Sequence, residues 1–200
     1  MKKLFSIILA FCLCFCMGNS AFAAEINANG GTASIPVYLS STENGTIGGA
    51  PAATAMSVTV PTSLPLAISQ QGDVTTATDC KIVNHSYGAV RIRSVTIAAG
   101  DGWNLTSFGD KSTLAGEKVN SNQLGFAMRI GGGEKVQTSG NDPSQQLISA
   151  PVNGCYMTGN GDSTRNLVPV SYEAIVTPLS QPAVDANVAN VVFVVEWDTV

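Results

Sequence analysis

Charge is scarce in this chain, and so are aromatic rings: charged residues make up 12% of it, and Phe, Trp and Tyr together 6%. The few charges lean acidic, with a formal net charge of −4. A thinly charged acidic surface gives no electrostatic footprint for nucleic acid or anionic lipid, so neither is an expected partner. Histidine is almost missing. The single one, His85 in the turn VNHSYG, has no second imidazole to form a zinc pair, and no metal site is expected. No serine stands in a Gly-x-Ser-x-Gly elbow. Gly131-Gly132-Gly133 lacks the Gly-Lys-Ser/Thr of a phosphate loop. Asp101, Asp110, Glu117, Glu173 and Glu196 have no spacing that pairs them as glycosidase acids. The oxygen-rich stretches 139–144 and 159–166 resemble calcium loops, but position twelve counted from Asn160 is Ser171 rather than an acid. Ordinary turns account for both. The expectation is a protein with no catalytic residues and no cofactor.

What is present begins with an export signal. Lys2 and Lys3 precede the apolar run LFSIILAFCLCFCM, and Ala21-Phe22-Ala23 supplies a small-x-small cleavage site. The run is shorter than the roughly 20 residues of a spanning helix, and no later stretch is long enough to cross a bilayer. Phe11, Leu13 and Phe15 stand before Cys12, Cys14 and Cys16, where a lipoprotein signal needs a small residue. Cleavage near Ala23 or Ala24 therefore yields a secreted, extracellular chain. Losing Lys2 and Lys3 leaves eight basic residues against 14 acidic ones, a formal charge of −6. SLPLAIS lacks the Thr-Gly of a sortase site, so attachment to a cell surface is expected to be non-covalent. Cys80 and Cys155 remain. Outside the cytoplasm such a pair can oxidise, which favours a disulfide, while two separate buried thiols stand as the alternative.

Beyond residue 25 the pattern is that of strands between Gly, Asn, Asp and Ser clusters, with no convincing helix. SIPVYLS points Ile35, Val37 and Leu39 one way, and MSVTVP does the same with Met56, Val58 and Val60. QLGFAMRI aligns Leu124, Phe126, Met128 and Ile130. VPVSYEAIV aligns Val168, Val170, Tyr172, Ala174 and Val176, and VVFVVEW aligns Val191, Phe193, Val195 and Trp197. In AVRIRSVTIA the phase slips: Val90 and Ile92 fit one register, Val95 and Ile97 the other. A slip of one residue turns every later side chain to the opposite face, so a β-bulge is predicted near Ser94. With TDCKIVNHS and WNLTSF this makes about eight strands. An all-β, antiparallel two-sheet sandwich, Ig-like or jelly-roll-like, is the expected fold.

The chain divides into a leader (1–23), an N-terminal strand with a Gly/Ala-rich linker (24–55) and a sandwich domain (56–200). STENGTIGGAPAATA, residues 41–55, has the composition of a linker or long loop and leaves residues 32–40 as a strand on a tether. That strand either crosses into its own sandwich or is donated to a neighbour's sheet. The first arrangement is the more ordinary one.

Trp103-Asn104-Leu105 forms a Trp-x-Leu triplet at a turn, and Trp197 follows Phe193 in the last strand. This layout resembles the WxL domain of Gram-positive surface proteins, and more distantly the fibre-forming matrix proteins of bacilli. Phe193 stands where the family has tyrosine, and Asp198-Thr199 replaces the second x-Leu. The resemblance implies non-covalent association with peptidoglycan or with other surface proteins, with Trp103, Leu105 and Trp197 as the binding residues. Shared facing with Phe193 and Val195 makes Trp197 a core residue in the competing view. The resulting expectation is a non-enzymatic cell-surface protein. The alternative is a fibre subunit that self-associates by exchanging residues 32–40.

Overall fold

The computed structural model describes residues 24–39 and 55–199. The leader and most of the linker expected from the sequence lie outside the described residues. The strands are β1 (Ala24–Glu25), β2 (Gly31–Leu39), β3 (Val58–Val60), β4 (Leu66–Ile68), β5 (Val74–Thr76), β6 (Lys81–Asn84) and β7 (Val90–Ala99). There follow β8 (Asn104–Thr106), one helical turn α1 (Ser112–Ala115), β9 (Gln123–Ile130), β10 (Val136–Gln137) and β11 (Ser144–Ile148). Then come β12 (Tyr156–Met157), β13 (Leu167–Val176) and β14 (Ala186–Trp197). Among the described residues no helix is long and apolar enough to cross a membrane.

Two sheets pack face to face. The first runs β1-β3-β6-β13-β9, with β8 and β10 both on β9. The second runs β7-β14-β2-β4-β5, with β11 and β12 both on β7. Pairing is antiparallel except for β8 with β9 and β2 with β4. The eight segments read from sequence are all strands. The six further ones are short, and β1, β10 and β12 have two residues each, too few to show an alternation.

The inward sets are those the alternation selects. Val58, Val60, Leu124, Phe126, Phe193 and Val195 are fully buried, and Phe126 stacks on Tyr172 with ring centroids 6.0 Å apart. Removing a side chain of this size from water contributes about 1.5–3 kcal/mol. The bulge falls where the phase slips. Val194 pairs with Ser94 but Val195 pairs with Ile92, so Arg93 is the extra residue. Arg93 stands exposed, and Val90, Ile92, Val95 and Ile97 all face the core at 0% exposure.

Candidate functional site

Segment 24–39 ties into both sheets. β1 pairs with β3 at the edge of the first, and β2 enters the second between β14 and β4. The crossing is a tight turn: Gly30 has φ +77° and the Gly31 N–H donates to Ala28 O at 3.0 Å. A Cβ on Gly31 would lie 2.4 Å from Ile26 Cγ2, so the chain can pass there only as glycine.

The two sides of β2 are unequal. Toward β14 it pairs from Gly31↔Val195 to Leu39↔Ala186, interrupted by a bulge at Val188. Gly30 N–H to Val195 O (3.2 Å) and Trp197 N–H to Asn29 Oδ1 (2.8 Å) prolong this ladder past the strand's end. Toward β4 the register holds the single pair Leu39↔Leu66, and the Leu64 N–H donates to Pro36 O at 3.3 Å. Within a strand the N–H and C=O of one residue point the same way. Pro36's missing N–H therefore falls on this sparsely bonded side, which is why proline is tolerated in an interior strand. Ala33, Ile35 and Val37 point into the core at 5%, 0% and 0% exposure. Thus β2 is an apolar strand held by one full ladder, lying in a slot between β14 and the β4–β5 ribbon.

The tryptophans occupy separate places. Trp197 is half-buried against the core and lies over Gly88, where a Cβ would come within 2.9 Å of its ring. Its backbone pairs with Val90, the first residue of β7. Trp103 lies past the other end of β7, its N–H donating to Gly100 O at 3.0 Å in a turn with Gly102 at φ +75°. Ten residues of β7 at about 3.3 Å each put these two ends roughly 30 Å apart. Trp103 is half-buried and Leu105 is 1% exposed, a core residue. The three residues named from sequence are not brought together.

In place of the favoured bridge, Cys80 and Cys155 are free thiols. Each has its own surroundings: Cys80 meets Tyr172, and its carbonyl accepts the Val170 N–H at 2.8 Å. Cys155 is fully buried, and its carbonyl accepts the Ile92 N–H at 2.9 Å, on the other sheet. Burial pushes both thiols up from their ordinary pKa, with the Asp79 charge adding to the effect at Cys80.

His85 serves its turn through the backbone, donating to Ser57 O (2.8 Å) and accepting from Asn160 Nδ2 (3.0 Å). Beside it stands a buried residue that sequence reasoning passed over. Asn84, 0% exposed, donates through Nδ2 to Gly88 O and Thr158 O and accepts the Ser86 N–H. An Asn-x-Ser triplet was its only sequence mark. The scattered carboxylates have separate partners: Glu196 holds Arg91 (2.8 Å), Glu173 meets Lys135 (3.4 Å) and Glu117 accepts from Gln123 (3.3 Å). In loop 159–166, Asp162 accepts from the Thr164 hydroxyl and N–H, and these bonds lower its pKa. Among the described residues no three His, Cys, Asp or Glu gather as a metal group.

No family model matches the chain, and neither a curated protein nor a solved structure matches it.

Proposed function

We propose that this is a non-enzymatic extracellular surface protein that assembles with copies of itself by exchanging segment 24–39. One observation carries the reading: β2 fills a slot in the second sheet, and only the connection after Leu39 joins segment 24–39 to the rest of the sandwich. A strand so attached can leave its slot without threading any loop. Its alternation of Ala33, Ile35 and Val37 is what strand addition requires, with the main chain supplying affinity and the inward side chains fit. The connection from Leu39 to Val58 has reach as well. Extended chain covers about 3.3–3.6 Å per residue, so the strand can arrive at a neighbouring copy. An empty slot would leave β14 with a bare edge, an aggregation hazard that donation by the next copy relieves. The leader read in residues 1–23 supports an extracellular setting for this assembly. Non-covalent attachment of the assembled protein to peptidoglycan or to other surface proteins belongs to the same proposal.

The test compares a chain beginning at Ala24 with one beginning at Thr54. Electron microscopy and size-exclusion chromatography should find concentration-dependent oligomers or fibres of the longer chain. The shorter chain should stay unassembled and take up a synthetic peptide of residues 24–39. A longer chain that is monomeric at every concentration, with a shorter one that ignores the peptide, would refute strand exchange.

A further inference from the structure

One end of the sandwich carries features that strand exchange does not use. At the start of β7, beneath loop 158–166, lies a cleft of about 470 Å³ lined by Tyr156, Thr158, Arg165, Asp198 and the backbone of Gly131 and Gly132. Small-molecule sites commonly measure about 300–1,000 Å³. Tyr156 is 46% exposed, and Tyr87 on the same end is 74% exposed. Tyr87 and Tyr156 are thus strongly exposed aromatic rings, in a chain with few rings to spare. Both are fixed to one loop. Gly159 sits so close to Tyr87 O that a Cβ there would lie 2.0 Å from it, and the Asn160 N–H donates to Ser86 O at 2.9 Å. Tyr156 enters the same loop from β12, paired with Arg91.

The polar groups of the cleft are mixed. Thr158 lines the cleft, and its carbonyl is held by Asn84 Nδ2 at 2.8 Å. Arg165 is exposed and forms no salt bridge among the described residues. Asp198 lies on the opposite side of the charge balance, its carboxylate 3.3 Å from Arg91, which also holds Glu196. An anion would gain Arg165 and meet these two carboxylates. A neutral ligand rich in hydroxyls can use donors and acceptors together, while a ring face covers its C–H surface. We infer that this end of the sandwich binds a neutral polyhydroxylated ligand, a short glycan, with Tyr156 as the stacking platform, Arg165 and Asp198 as polar clamps, and Tyr87 extending the surface. The inference stands independently of strand exchange.

The experiment titrates the chain beginning at Ala24 with chitotriose and maltotriose, and separately with acetate and inorganic phosphate, following backbone amides by heteronuclear NMR. Saturable shifts centred on Tyr156, Thr158 and Arg165 are expected with at least one trisaccharide. Tyr156→Ala and Arg165→Ala should each weaken that binding about tenfold, and Tyr87→Ala less. All three side chains are exposed, so unchanged thermal unfolding separates lost binding from lost fold. Absence of saturable binding by both sugars overturns the inference. So does sugar binding that Tyr156→Ala leaves intact, or binding of acetate or phosphate that exceeds both sugars.

Discussion

The Tyr172 hydroxyl donates a 2.8 Å hydrogen bond to the Pro65 carbonyl, joining β13 of one sheet to the entry of β4 in the other. The same oxygen accepts the Ala77 N–H at 3.2 Å, just past β5. One phenol thus fastens the open end of the β4–β5 ribbon, where Leu66 pairs with Thr76, and this ribbon closes the β2 slot. Tyr172→Phe keeps the stack on Phe126 but leaves the Pro65 carbonyl and the Ala77 N–H unpaired. The expected loss is about 1–3 kcal/mol in urea unfolding, with faster amide exchange at Ala67 and Thr75. Unfolding and exchange that both match the parent would show that the bond holds nothing.

Phe126 tests the core from the other side of that stack. It is fully buried and faces Tyr172. Phe126→Ala should cost about 3–5 kcal/mol, because the packed sheets cannot collapse into the space left behind. A loss below about 1 kcal/mol would mean the inward face of β9 is wrongly assigned.

The bulge gives a sharper contrast. Arg93 points to solvent, with only a 3.8 Å ion pair to Glu196 at 60% side-chain exposure, so Arg93→Ala should change stability by no more than about 0.5 kcal/mol. Deleting Arg93 is different in kind. It removes the extra residue, so Val90, Ile92, Val95 and Ile97 fall into one unbroken alternation, and the chain should still fold cooperatively by calorimetry without a bulge. A deletion variant that loses its cooperative transition would show that the sheet needs the bulge itself and not only the inward alternation.

Much of this architecture was legible because it is local. The slip shows in the spacing of Val90, Ile92, Val95 and Ile97, and the long alternations of β2, β9, β13 and β14 each show their inward face within a few residues. The ribbon of β4 and β5 was not legible, since Leu66-Ala67-Ile68 and Val74-Thr75-Thr76 stand in no flanking alternation and their closure depends on Tyr172, far along the chain. The β2 slot was open in sequence for the same reason: its partner, β14, is the last strand. The cysteines and tryptophans depend on tertiary distance, which spacing does not encode. The cleft escaped notice because its residues, Tyr156 and Arg165 among them, come from ordinary turn sequence. Only the fold brings them beside Asp198.

The free thiols set the alkaline behaviour of the protein. Burial raises the pKa of Cys155 and Cys80, and burial raises that of the Tyr172 phenol as well. Each group therefore holds its proton more tightly folded than unfolded. The stability this contributes is complete below the unfolded thiol value of about 8.5. It drains away as pH rises past that value, because the unfolded chain ionises first, and the loss levels off once the raised folded values are passed. Urea midpoints should be flat up to about pH 8 and then fall. Cys155→Ala should flatten part of that fall while lowering the neutral-pH midpoint slightly through the lost packing. A thiol reagent should count two thiols in a chain beginning at Ala24 once it is unfolded without reductant, and should reach Cys155, at 0% exposure, only upon unfolding. Finding no thiols in the unfolded protein would establish a bridge and remove the thiol part of the alkaline decline, leaving Tyr172 alone to produce whatever fall persists.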